Sequence, residues 1–327
     1  MIITQTPFRV SFLGGGTDYP EHFRAHGGAV LGTAISRCAY QTVMRFESSL
    51  FDYSIRLGYR QVECVRTLDE IQHRAFQACL RKLELTHDIE VNYAAELPGF
   101  TGLGTSSSFV VGLLNALHSF KGRYVAPMDL CRQAIEIERD VLGEAVGCQD
   151  QAWAAMGGMG LIEFKPNDDI VVTRVPMSTQ RRAEIESHLL MVFTGITRRA
   201  ADLASKQIKK ASENKDRYLR MRTQVDEGYA VLTGNASLEK LGSLLHEGWL
   251  LKQSLDESIS NGKIGSIYKA GTEAGAWGGK LLGAGGGGFV LFVVPPERRE
   301  RVRAALKDYQ EIPFGIDAPG SRVIHAS

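Results

Sequence analysis

Pro98-Gly99-Phe100-Thr101-Gly102-Leu103-Gly104-Thr105-Ser106-Ser107-Ser108 runs straight into the apolar stretch Phe109-Val110-Val111-Gly112-Leu113-Leu114-Asn115-Ala116-Leu117. A glycine- and hydroxyl-rich loop therefore opens a helix-forming segment. The first amides of a helix have no partner within it, and the helix dipole makes that end partly positive. Glycines let such a backbone close around a phosphate. Hydroxyls in the first turn either cap the helix or ligate a metal that travels with the phosphate. Two readings follow from the loop itself. One is a core helix with an ordinary Ser/Thr cap. The other is an anion cradle made of Gly102, Leu103, Gly104, Thr105, Ser106, Ser107 and Ser108. The Gly-Lys-Ser/Thr ending of a Walker A loop is missing.

Two further glycine clusters flank this one. Leu13-Gly14-Gly15-Gly16-Thr17-Asp18-Tyr19 leaves a strand. It is either a tight turn or a backbone brought close to a ligand, with Asp18 offering a carboxylate to hydroxyls. Lys280-Leu281-Leu282-Gly283-Ala284-Gly285-Gly286-Gly287-Gly288-Phe289 satisfies G-x-G-x-x-G in form. A dinucleotide fingerprint follows a strand and opens a helix, whereas these glycines precede a strand, so that reading fails. Four glycines in a row are costly to order and mark close backbone packing. The expectation is that this run presses on the Gly102–Ser108 loop.

The acid–base candidates are few. Asp150, in Gly147-Cys148-Gln149-Asp150-Gln151, is read as lying on a loop after a helix, where a general base is well placed. A capping or solvated Asp is the other reading. Glu138 falls at the flank of the Leu130/Ala134/Ile137/Val141 helical stripe, whereas Glu136 falls opposite it and should face water. Glu138 is thus either a Mg²⁺ ligand beside the loop or half of an ion pair with Arg139 or Lys121. Arg9 lies on the other face of a strand from Phe8, Val10 and Phe12, so its burial requires an anionic partner, and Asp150 or a substrate oxygen would serve. The basic run from Arg198 to Arg222 reads mainly as a solvated helix face. Arg198 and Arg199, following Thr194-Gly195-Ile196-Thr197, are the exception.

Composition narrows the function classes. The 327 residues are 44% hydrophobic, and 38 basic against 37 acidic residues leave a net charge of +1. Nothing in that balance points to nucleic acid or to a membrane surface. No apolar run approaches the roughly 18–20 residues of a membrane span. The N-terminal residues lack the basic start and apolar core of a secretory leader. Five scattered cysteines without a C-x-x-C pair argue against a disulfide framework or zinc site. A reducing, cytoplasmic setting is expected.

The coarse pattern is α+β. Phe8–Leu13, Gln41–Phe46, Val62–Val65, Ile89–Ala94, Leu161–Phe164 and Ile170–Val175 read as strands, with helices after the loop and after Pro127. A boundary near residue 180 divides the chain into 1–180 and 181–327. The second part opens with the strand Leu189–Thr194 and is then helical to about Ala276. It closes with Phe289–Val294, a charged helix over Glu297–Tyr309 and the strand Arg322–His325.

Three glycine clusters in this order, with Asp150 between the second and third, resemble the GHMP small-molecule kinases. Pro7–Asp18 looks like the first motif of that family, Pro98–Ser108 like the second and Lys280–Phe289 like the third. The resemblance spans nearly the whole chain. It implies a two-domain fold, an N-terminal domain like ribosomal S5 domain 2 and a ferredoxin-like C-terminal domain. It also implies ATP and Mg²⁺ as cofactors and a small-molecule acceptor. By resemblance the Gly102–Ser108 backbone holds the nucleotide phosphates, Ser106 and Glu138 hold Mg²⁺, Asp150 is the catalytic base and Arg9 supports it. Asp18, with Gly15, Gly16, Thr17, Gly285 and Gly286, lies on the substrate. Galactokinases in this family carry Gly-Glu-His-Thr-Asp where this chain has Gly14-Gly15-Gly16-Thr17-Asp18, so two sugar-site side chains become glycine. Gly-Gly-Gly-Thr-Asp, Thr194–Arg199 and His246-Glu247-Gly248-Trp249-Leu250-Leu251-Lys252 look most like the heptose 7-phosphate kinase branch. That branch phosphorylates the anomeric hydroxyl of a sugar phosphate. Arg198, Arg199 and Lys206 are then the candidates for the acceptor's phosphate. Other sugar 1-kinases and a non-catalytic sugar or ATP sensor are the alternatives, and a homo-oligomer is left open.

Overall fold

The computed structural model describes residues 1–197, 200–210, 213–234 and 236–327. Its strands are β1 (Ile2–Leu13), β2 (Gly28–Arg45), β3 (Ile55–Gly58), β4 (Val62–Val65), β5 (Ile89–Ala95), β6 (Met159–Phe164), β7 (Ile170–Arg174), β8 (Leu189–Phe193), β9 (Gly278–Leu281), β10 (Phe289–Val293) and β11 (Arg322–Ala326). Its helices are α1 (Pro20–His26), α2 (Arg74–Lys82), α3 (Thr105–Phe120), α4 (Pro127–Ile135), α5 (Gln149–Met156), α6 (Thr179–His188), α7 (Ala200–Lys209), α8 (Lys215–Thr233), α9 (Leu238–Gln253), α10 (Gly262–Glu273) and α11 (Arg299–Ala305).

Eight strands form one sheet in the order β11-β1-β2-β5-β3-β4, with β6 pairing the first half of β2, and β7 pairing β6. All of its pairings are antiparallel except β3 with β5. The alternation of Phe8, Val10 and Phe12 places all three in the core, in one cluster with Leu241, Leu245 and Leu291. Helix α3 is buried on nearly every side, as its apolar sequence requires. Glycine at 112 lets α3 lie directly on β1 and β2: a Cβ there would stand 2.3 Å from Gln41 Oε1 and 2.5 Å from Thr6 Oγ1. Thr4 Oγ1 donates to the Gly112 carbonyl at that contact.

The second sheet runs β8-β10-β9 and is antiparallel throughout. Trp249, Ile264, Ile267 and Val302 pack on one of its faces. Its other face joins Phe8, Val10 and Phe12 in a core shared by both halves of the chain. The division expected to run through residue 327 is corrected at its end. Strand β11 returns to the first sheet and pairs with β1. Ser321, beside it, accepts from Asn115 Nδ2 and shares a hydrogen bond with Thr6 Oγ1. The return covers an edge of β1 that would otherwise stand open.

Candidate active site

The three glycine clusters meet at one cleft. Residues from β1, the β1–α1 turn, the start of α3, the start of α5, α7, α9 and the β9–β10 turn line it. Arg9 lies on β1 and reaches across to Asp150 through two parallel bonds, Nε to Oδ1 at 2.7 Å and Nη2 to Oδ2 at 2.8 Å. Its remaining nitrogen donates to the Gly102 carbonyl, and its own amide donates to the Leu103 carbonyl. The charge that the sequence required to be paired is paired with Asp150. Bidentate Arg–carboxylate geometry fixes both planes.

Asp150 is not on a loop as expected. It is in the first turn of α5, whose Ala152, Trp153, Ala154 and Ala155 are buried. That apolar run carries the helix back as far as Gln149, and an acidic group in a first turn is favoured by the helix dipole.

The loop before α3 has no side-chain cap. Its N-cap is Gly104, in the left-handed region, so the Ser/Thr-capped reading is overturned. The hydroxyls are used elsewhere. Ser106 Oγ donates to Glu138 Oε1 at 3.0 Å, Ser107 Oγ donates to Glu138 Oε2 at 2.7 Å, and Ser108 Oγ donates to the Pro7 carbonyl at 2.7 Å. Gly102, Gly104, Thr105, Ser106 and Ser107 line the cleft. Leu103 belongs to the shared core and Ser108 faces β1. The expected pressure from the third cluster is present at Gly102, whose φ is +79°. A Cβ at Gly102 would stand 2.5 Å from the Leu282 carbonyl oxygen.

Glu138 sits on a π-helical turn, Glu136–Val141, that continues α4. Such turns are frequent at functional sites. Its side chain is fully buried and also accepts from Gln151 Nε2 at 2.5 Å. Burial pushes its pKa up to about 7, against the pull of the Ser107 and Gln151 bonds. The ion-pair alternatives are excluded, because Arg139 pairs with Glu21 and Lys121 donates to the Leu83 carbonyl. Glu136 is on the surface with Lys82, as expected. Among the described residues, no three His, Cys, Asp or Glu side chains gather as a metal site. One carboxylate with a hydroxyl beside it still fits Mg²⁺, which takes few protein oxygens and completes its shell with phosphate and water.

Asp18 is buried, accepting from the Gly16 amide at 2.9 Å and the Gln149 amide at 3.3 Å. Burial raises its pKa, the Gly16 bond opposes this, and the nearby Asp150 charge adds to the rise. Gly15 and Gly16 line the cleft beside it.

Other expected substrate residues are placed differently. Thr17 is buried away from the cleft, its hydroxyl donating to the Gly14 and Ala29 carbonyls at 2.8 Å each. Gly285 and Gly286 back onto the turn at Ile259, and Lys280, Gly283 and Ala284 are the members of that motif that line the cleft. Lys206 is exposed, whereas Ala204 and Gln207 on the same helix line the site. Arg198 and Arg199 lie outside the described residues.

Among the cleft residues missed are the two lysines Lys252 and Lys280, and the polar residues Ser11 and Gln149. Lys252 donates to the Gly283 carbonyl, and Lys280 donates to the Phe12 carbonyl at 2.8 Å. Burial and then the Arg9 charge lower the Lys252 pKa to about 8. Burial also lowers that of Lys280, assisted by Lys252 and Arg9. A signal for Lys252 existed: it continues the Leu241, Leu245, Trp249 stripe of α9, where an apolar residue belongs.

Among the described residues, no helix is long and apolar enough to cross a membrane. Family models for the GHMP kinases N terminal domain and the GHMP kinases C terminal match residues 70–158 and 231–312. A D-glycero-alpha-D-manno-heptose 7-phosphate kinase of Campylobacter jejuni is 29% identical over 320 residues, covering 94% of each chain. A solved D-glycero-D-manno-heptose 1-phosphate kinase from Bacteriodes thetaiotaomicron superposes with a TM-score of 0.82 over 100% of both chains at 24% identity. A solved putative sugar kinase of Campylobacter jejuni gives a TM-score of 0.74 at 26% identity, over 98% of this chain and 97% of its own. Both family models fall on the halves that build the cleft, and the two-domain fold agrees with them. This chain belongs to the GHMP kinase family and is an ATP-dependent phosphotransferase.

Proposed function

We propose that the chain transfers the γ-phosphoryl group of ATP to the anomeric C1 hydroxyl of D-glycero-D-manno-heptose 7-phosphate, giving the 1,7-bisphosphate. Such a product feeds nucleotide-activated heptose for surface polysaccharide. The carrying observation is the Arg9–Asp150 pair, which stands in one cleft with the uncapped start of α3 and with Asp18. The choice of sugar is supported by the relative from Campylobacter jejuni, matched along 94% of its length.

In this reading the backbone of Gly102, Gly104, Thr105, Ser106 and Ser107 holds the nucleotide phosphates. Glu138 and Ser106 would hold Mg²⁺, which supplies charge neutralisation to the phosphates. Asp150 takes the proton of the acceptor hydroxyl as that oxygen bonds to the γ-phosphorus. The bond from phosphorus to the bridging oxygen breaks, and ADP leaves with that electron pair. Arg9 fixes the Asp150 carboxylate and offsets charge that develops at the reacting oxygens. Asp18 accepts from acceptor hydroxyls. Phosphoryl transfer is mostly positioning and charge stabilisation, which these groups provide. The five free cysteines, four of them buried, support a reducing, cytoplasmic setting.

The test is ADP release with Mg-ATP across D-glycero-D-manno-heptose 7-phosphate, the free heptose, galactose, fucose and mevalonate. Turnover confined to the 7-phosphate is expected. Turnover of another acceptor in its place overturns the assigned substrate. Sugar-induced thermal stabilisation without ADP release would indicate a sensor.

A further inference from the structure

Two buried polar atoms beside Asp18 have no partner. Ser11 Oγ and Gln149 Oε1 make no hydrogen bond, although Ser11 is 6% exposed and Gln149 8%. Both residues line the cleft. Buried polar atoms in folded proteins are nearly always satisfied by protein groups, water or a ligand, and these two belong to residues that line the cleft, where a ligand can reach them.

The two residues meet across Gly15. A Cβ on Gly15 would stand 3.7 Å from Ser11 Oγ and 3.8 Å from Gln149 Nε2, at ordinary contact distance. Gly15 is not among the glycines of positive φ, so its backbone conformation does not demand glycine. Its missing side chain leaves a notch between two polar side chains. The neighbouring Gly16 differs: a Cβ there would stand 2.8 Å from the Tyr218 ring, so that space is already filled. The Gln149 backbone amide donates to Asp18, and both Asp18 and Asp150 line the same cleft as the notch.

We propose that Gly15, Ser11 and Gln149 form the hydroxyl-reading subsite of the acceptor, an inference that rests on the assignment of this end of the cleft to the acceptor. One acceptor hydroxyl bonds the Gln149 side-chain amide, whose Nε2 faces the notch, and a neighbouring hydroxyl bonds Ser11 Oγ. The subsite selects a polyhydroxylated acceptor. A smaller acceptor with a methyl group at this point leaves both atoms buried and unpaired, and sites built to bond a hydroxyl strongly reject analogues that lack it. Glycine at 15 is then a specificity residue: it keeps the notch open to a sugar hydroxyl.

The experiment compares wild type, Gly15→Ala and Gln149→Leu with D-glycero-D-manno-heptose 7-phosphate and its single-deoxy analogues. Both variants should raise the KM for the sugar about 10-fold or more and leave the KM for ATP within about twofold. One deoxy analogue should be a poor substrate for wild type, and Gln149→Leu should lose that discrimination. A merely structural role for Gln149 would not erase the response to a single hydroxyl. Gly15→Ala needs no backbone change and covers the case in which Gln149→Leu fails to fold. If wild type turns over and both variants keep its sugar KM, the subsite is overturned and the kinase assignment stands. If wild type releases no ADP, the assigned substrate falls, and calorimetric binding of the same sugar phosphate decides the notch. Weaker binding by Gly15→Ala sustains it; equal binding, or none to wild type, overturns it.

Discussion

Gly283 and Gly102 pack backbone to backbone: a Cβ on Gly283 would stand 2.4 Å from the Gly102 Cα. The β9–β10 turn therefore sets the position of the loop that opens α3. Gly283 also has φ +75°, where any side chain is strained. Gly283→Ala should cost on the order of 1–3 kcal/mol, lowering Tm by several degrees. ADP release should slow about 10-fold or more, because small misplacements of positioning groups are expensive in rate. Gly99→Ala, in open space on the same loop, is the control and should behave as wild type. Thermal denaturation and the ADP assay check both; a Gly283→Ala enzyme of normal rate would show that the contact does not shape the site.

Asp150→Asn should retain ATP binding and lose kcat by roughly 10²-fold or more, as expected when a general base is removed. The substitution keeps size and one acceptor oxygen for Arg9. Nucleotide binding by calorimetry and kcat by ADP release separate the two effects. A near-normal kcat would remove Asp150 from the role of base.

Glu138→Gln should raise the Mg²⁺ concentration for half-maximal rate by about 10-fold or more. Ser106→Ala should move it in the same direction by less. The variant should fold, because burial raises the Glu138 pKa to about 7 and so already disfavours the charge that the substitution removes. A Mg²⁺ titration unchanged in both variants would refute the assignment.

Lys252 makes stability depend on pH. Its pKa is about 8 in the folded protein against 10.5 ordinarily, through burial and the Arg9 charge. Between these values the unfolded chain binds the proton and the native protein does not. Wild-type stability therefore gains with rising pH across that window and loses the gain as pH falls through 8. Lys252→Met removes this titration. The stability difference between the two proteins should shift toward wild type from pH 8 to 10.5, by a few kcal/mol at most. Below pH 8 it should be flat. Denaturant unfolding at several pH values measures it, and a constant difference throughout would contradict the lowered pKa.

Much of the site was legible because its chemistry is concentrated in short, locally spaced segments. Arg9 stood on the polar face of an alternating strand, and its need for an anion left Asp150 and a substrate oxygen as partners, of which the structure pairs it with Asp150. Glu138 was legible as a stripe-flank carboxylate, although the π turn that aims it was not, since one register change leaves no mark on an apolar pattern. Thr17 was misplaced because a hydroxyl reads alike whether it bonds a ligand or two backbone carbonyls. Gly285 and Gly286 were misplaced because glycine serves packing and ligand approach equally well. Strand β2 was read only in its second half, where polar and apolar residues alternate. Its first half is buried on both faces and shows no alternation. Strand β9, Gly-Gly-Lys-Leu, has no pattern to read.

The return of β11 to the first sheet ties the two halves of the cleft together a second time. The chain crosses between them after β7 and again before β11. The second crossing is tied down, with the Ala318 amide donating to the Ala34 carbonyl at 3.1 Å and the Asp317 amide donating to Thr33 Oγ1 at 2.8 Å. A molecule joined by one strand can swivel; one joined by two parallel straps resists torsion and yields chiefly by flexing. With the core that Phe8, Val10 and Phe12 share with Leu245 and Leu291, the two crossings hold Lys252 and Gly283 in the same cleft as Arg9 and Asp150.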